Sequence, residues 1–164
     1  CLEPRKLGAR MRYANKVFPT YNLDACSLCV KPYPGHPKGC PNWNKKQGCP
    51  PQAPKIYETL DLSETVYVIY NVFNIGQHAR RMLELHPQWS ERQCYCCLYW
   101  QPKARKQLQT NIRFFLADHP KQKIITCPEA QGVNLTATMK KIGVDLEWPP
   151  RQVAYQIVLA GTAL

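Results

Sequence analysis

Residues 26–55 hold Cys26, Cys29, Cys40 and Cys49 in the pattern C-x2-C-x10-C-x8-C, and no other stretch limits the fold as strongly. The part from 29 to 55, CVKPYPGHPKGCPNWNKKQGCPPQAPK, carries seven of the chain's fifteen prolines and five lysines, without one acidic residue. Proline fixes its own φ and biases the preceding residue away from helix, so this stretch is expected to be irregular. A structureless loop of that length is uncommon inside a compact domain unless something organises it. A bound metal supplies such organisation, because two residues between cysteines let a tight turn aim both thiolates at one ion.

The remaining cysteines fall into a second group, Cys94, Cys96, Cys97 and Cys127 (C-x-C-C-x29-C), with Cys1 left over from the total of nine. Four and four is the donor count that two tetrahedral sulfur sites require. A disulfide framework is the competing explanation; the odd count, the lack of a signal-like apolar segment and the domain size weigh against it. For the second group there is a further alternative. The run CYCCLYW is also what a buried core segment looks like, and adjacent Cys96 and Cys97 would face opposite ways in an extended chain.

Zinc accepts the first group of ligands, and so does an iron-sulfur cluster. Cys40, Cys49 and Cys127 are each followed directly by proline, a feature of the C-P signature of 4Fe-4S ferredoxin ligands, and it favours the cluster. His36 could replace a thiol in the first site. If the second group ligates through three cysteines, one position stays open to substrate, and Glu129, two residues past Cys127, is the nearest candidate catalytic acid or base.

With both groups in view, the chain resembles an uncharacterised, cysteine-rich family of predicted metal-binding proteins. The stretches that carry the likeness are CSLC, GCPP at 48–51, CYCC, and CPEAQGVNLTATMKKIGVDLEW, within residues 26–148. The chain departs from the family in its C-x-C-C, where two C-x2-C steps are usual, and in the longer insert YPGHPKGCPNWNKKQ. The resemblance implies metal or cluster binding and supplies no reaction.

At 164 residues the chain is expected to form a single domain, 1–164, that buries roughly two thirds of its unfolded surface. Within it, 26–55 is the cysteine-rich loop and 56–164 an α/β core. The β-branched and aromatic run 64–73 predicts a strand, 75–86 a helix, and 102–119 a helix that opens with Pro102 in its first turn and aligns Leu108, Ile112, Phe115 and Leu116. Next, KIITC (123–127), a helix between Asn134 as N-cap and Gly143 as C-cap, and VDLEW read as a βαβ unit, followed by a final strand over 151–160. The expected fold class is α/β, a layered domain with a βαβ unit and a Pro/Cys-rich metal-binding loop. The segment 7–18 is open to strand or helix.

The longest apolar stretch is strand-sized, so no membrane span is expected and a soluble cytoplasmic protein is the default. The net charge of +11 falls to +7 if two four-thiolate sites, each carrying minus two around Zn2+ or a [4Fe-4S]2+ core, are formed. An anionic partner such as RNA or single-stranded DNA suits the remaining charge. Lys31, Lys38, Lys45 and Lys46 beside Tyr33 and Trp43, together with Lys103, Lys106, Arg113, Lys140 and Lys141, would track phosphates, although solvated helix faces look the same. No Gly-rich phosphate loop, H-E-x-x-H or G-x-S-x-G pattern occurs, which argues against the commonest nucleotide and hydrolase chemistries. Two functional readings remain: an iron-sulfur protein with a redox or sulfur-chemistry role on an RNA-linked or other anionic substrate, and a structural zinc module that contacts nucleic acid.

Overall fold

The computed structural model describes residues 13–22, 24–32 and 36–164; Cys1, Tyr33 and the start of the 7–18 segment lie outside them. Four strands form one antiparallel sheet in the order β1-β2-β4-β3: β1 (Ala14–Lys16), β2 (Tyr67–Phe73), β3 (Lys123–Ile125) and β4 (Ala154–Gly161). Among the described residues the helices are α1 (Asp24–Ser27), α2 (Ile75–Leu85), α3 (Glu91–Cys94), α4 (Cys97–Asp118) and α5 (Leu135–Lys140). The coarse α/β expectation holds. The sheet is antiparallel throughout.

The two central strands pair along their whole length, from Tyr67 opposite Ala160 to Phe73 opposite Ala154. Side chains alternate across a strand, so β2 sends Ile69 to one face and Val68 and Tyr70 to the other. On the first face, Leu108, Ile112 and Phe115 of α4 pack against Ile69, Val158 and Ala160. Burying each of the larger side chains contributes about 1.5–3 kcal/mol. On the second face Ile56, Leu60, Val133 and Met139 cover Val68, Tyr70 and Leu159. The sheet is thus sandwiched between one long helix and a layer of turns and short helices.

A polar clamp fixes α4 on the sheet. Buried Asn71 donates from Nδ2 to the Ala104 carbonyl at 2.9 Å and to Gln107 Oε1 at 3.3 Å, while its Oδ1 accepts from the Gln156 amide at 3.0 Å. Asn111 Nδ2 donates to the Tyr70 carbonyl at 2.9 Å. Helix and strand are therefore held in one register.

Three expectations are corrected. The βαβ unit does not form: β3 joins β4 in antiparallel fashion, and VDLEW, residues 144–148, is irregular chain. Its alternation has another cause, since Val144 and Leu146 pack onto the second sheet face from outside the sheet. Asn134 does cap α5, accepting from the Ala137 amide at 3.0 Å, and Gly143 turns the chain with φ 77°. Pro102 lies inside α4 instead of opening it, because the helix starts five residues earlier at Cys97. Lastly, the cysteine-rich stretch is not wholly irregular, as it begins with α1 and a 3-10 turn, Leu28–Val30.

Candidate metal centre

The first four thiols are arranged by backbone turns. Cys26 is buried in α1, which starts where Asn22 Oδ1 accepts from the Asp24 amide at 2.9 Å. Cys29 follows in the 3-10 turn, and the Cys40 amide donates to the Cys29 carbonyl at 2.7 Å, closing the chain between them. That closure needs Gly39: its φ is +79°, and a Cβ there would lie 2.7 Å from the Cys29 carbonyl oxygen. The Cys49 carbonyl accepts from both the Gln52 and Ala53 amides at 3.0 Å, which fixes the turn into residue 56. Lys55 Nζ stands 3.5 Å from Cys26 Sγ and supplies a local positive charge.

Burial pushes the Cys29 thiol up, and the charges of Cys40, Glu129, Cys49 and Cys26 push it further in the same direction. Thiolates gathered in one place repel one another. A metal ion or a cluster is what would let four thiolates coexist there. The donor chemistry fits. Closure is not complete, since among the described residues no three His, Cys, Asp or Glu side chains converge closely enough to hold an ion as they stand.

Cys127 and Glu129 arrive from the other half of the chain. Cys127 follows β3 and precedes the 3-10 turn Pro128–Gln131. This turn docks on α1: Cys26 Sγ donates to the Ala130 carbonyl at 3.5 Å, and the Asn22 amide donates to the Gly132 carbonyl at 2.8 Å. Gly132 passes with φ +89°, and a Cβ there would already sit 3.8 Å from Cys26 Sγ. Burial raises the Cys127 thiol, as do Glu129 and Cys49, against lowering by a Thr126 hydrogen bond and Arg105. The fold therefore brings the turn after Cys127 against the helix that carries Cys26.

Cys127 and Glu129 both line a recess of about 640 Å³ with Arg105, Trp148, Tyr155 and Gln156. Glu129 reaches solvent through this recess but is crowded by protein, and burial raises its carboxyl. A carboxyl so placed holds its proton to higher pH than an open one and can give it to a bound molecule.

The C-x-C-C thiols lie at the junction of α3 and α4. Cys94 is buried at the end of α3, Cys96 is the N-cap of α4, and Cys97 is exposed in its first turn. None of the three lines the recess that Cys127 lines. The core-like reading fits part of CYCCLYW, since Trp100 is buried and stacks on Phe73 at 5.4 Å, whereas Leu98 and Tyr99 are exposed. His36 is exposed in the loop. All eight described cysteines are free thiols.

Sequence reasoning did not find Arg105 or Lys55 as members of this neighbourhood. Lys55 had a signal, as the one lysine that ends the cysteine-rich stretch; Arg105, on a helix far along the chain, had none. No family model matches the chain, nor does any curated protein or solved structure, so the likeness carried by its cysteine motifs stays a resemblance.

Proposed function

We propose that this is a metal-binding protein in which Cys26, Cys29, Cys40 and Cys49 ligate one centre, an iron-sulfur cluster of the 4Fe-4S type, and that it carries out redox or sulfur chemistry on an anionic, RNA-linked or similar substrate. One observation carries this reading. A turn-rich loop carries four thiols, and its Cys26 hydrogen-bonds the turn that follows a fifth, Cys127, which lines an open recess together with the acid Glu129. The cluster would supply electron transfer or sulfur activation. The chain's own residues do the rest: Lys55 offsets thiolate charge, Arg105 attracts an anionic group into the recess, and Glu129 keeps a proton at its carboxyl. A reducing, cytoplasmic compartment suits such thiols.

A structural zinc site in a nucleic-acid-binding module is the second reading, and one observation favours it: Lys31, Lys38, Lys45 and Lys46 are all exposed on the loop. Nothing in the fold offers a membrane-spanning helix among the described residues. Purification without oxygen, followed by a visible spectrum and by iron, sulfide and zinc analysis per chain, separates the readings. A brown protein with broad absorption near about 400 nm and on the order of four irons supports the cluster. Colourless protein with stoichiometric zinc supports the second reading, and a chain that takes up neither metal overturns both.

A further inference from the structure

Away from the thiols, a second recess of about 770 Å³ opens between α2 and α4, beside the end of β2. Its charged and titratable lining is Arg80, Arg81, His78 and Lys103, with Glu84 as the single carboxylate. Among the described residues the ion pair is Arg151 with Glu91, at 2.7 Å, so Glu84 forms no direct ion pair with these three cations. His78 packs against Phe73 with ring centres 5.8 Å apart, and its Nε2 is buried without a hydrogen-bond partner. Arg81 and Lys103 line the same recess as this imidazole, and burial, Lys103 and Arg81 all lower its pKa. Arg80, Arg81 and Lys103 are exposed side chains on one recess, which therefore presents concentrated positive charge to an anion.

The geometry points to a binding site for a phosphate-class anion, formed by His78, Arg81 and Lys103 and distinct from the cysteine centre. Arg81 offers a planar fork for two oxygens and Lys103 a point charge for a third, with the His78 ring in the recess wall. Gln107 adds a neutral donor, because its Oε1 already accepts from Asn71 Nδ2 at 3.3 Å and its amide nitrogen is left for the recess. The start of α2 contributes little, since the amides of Gly76, Gln77 and His78 are bonded to Gln152, Asn74 Oδ1 and the Asn74 carbonyl. A carboxylate would use only part of this donor set; a tetrahedral dianion uses all of it. The volume leaves room for what the phosphate is attached to, either a small phosphorylated molecule or a polynucleotide backbone.

Titration of the full-length purified protein with pyrophosphate by calorimetry is the test. Saturable one-site binding is expected, weakened on the order of tenfold by Arg81→Ala and by Lys103→Ala. Glu84→Gln should tighten it. Lys121→Ala, an exposed control past the far end of α4, removes the same charge and should leave it unchanged. Displacement of pyrophosphate by a short single-stranded RNA assigns the site to a polynucleotide backbone, and lack of displacement assigns it to a free phosphorylated molecule. No saturable binding, or equal weakening by Lys121→Ala, overturns the site and leaves only the general attraction of a basic protein. Thermal melts confirm that each variant is folded, and metal analysis of the same samples keeps this result separate from the fate of the cysteine centre.

Discussion

At the scale of single residues, Gly39 and Glu129 carry the sharpest expectations. Gly39 lets Cys29 and Cys40 approach, and Gly39→Ala meets two obstacles at once: a φ of +79° and a Cβ that would overlap the Cys29 carbonyl oxygen at 2.7 Å. The conformational part alone costs about 1–2 kcal/mol. Metal content per chain should fall well below that of the parent, and the melting temperature should drop; equal metal content would mean that this turn does not assemble the centre. Glu129 acts through its proton. Its folded pKa is raised above the ordinary 4.5, so the stability tied to this group is fully present below that value and is lost as pH rises through the folded pKa. In the metal-free chain, Glu129→Gln should therefore melt above the parent at pH 7 and level with it near about pH 4. A variant that melts lower at pH 7 would show that the carboxylate is stabilised by its surroundings.

Among the elements, α4 is the one whose sequence and structure differ most instructively. Pro102 sits in its second turn, where it has no amide to offer the Leu98 carbonyl, yet the helix runs on towards Cys97. Burial of Trp100 against Phe73 and the hydrogen bond from its Nε1 to the Tyr95 carbonyl at 3.3 Å hold that first turn in place. Pro102→Ala restores the missing donor and should stabilise the fold by about 1–2 kcal/mol in urea unfolding, after allowing for the freer unfolded chain. No gain would mean that the Leu98 carbonyl is already satisfied. Proline at 102 is also why the sequence placed the helix start too late: local propensity spoke, and tertiary packing overrode it. The same physics hid the sheet order. Alternation marked β2 and β4 as strands, but Val144 and Leu146 alternate equally well while packing onto a sheet face, and nothing local separates those cases. No local sign in the sequence marks the turn Pro128–Gln131, so its docking on α1, which brings Cys127 to the Cys26 side of the fold, is not legible there.

For the whole molecule, the two halves differ in what holds them. The sheet has both faces covered by apolar side chains, and β2 is paired on both edges over much of its length. Between 26 and 55, by contrast, the buried described residues are Cys26, Gly39, Pro50 and Ala53, and the hydrogen bonds are those of turns. So small an apolar contribution does not offset the entropy of ordering such a loop, and a structural metal adds binding energy on the order of 10 kcal/mol where one is bound. This division is legible in the cysteine motif and the prolines alone, because a loop so poor in core formers has to be ordered by something else. Metal removal, or Cys49→Ser, should therefore raise amide exchange at Cys40, Asn44, Cys49 and Gln52 on the order of a hundredfold. The amides of Val68, Ile69 and Leu159 should keep their protection. Hydrogen exchange resolved by residue reads both regions in one sample. Unchanged exchange in the loop would remove the metal from its organising role, whereas loss of protection in the sheet would make the loop and the α/β core one cooperative unit.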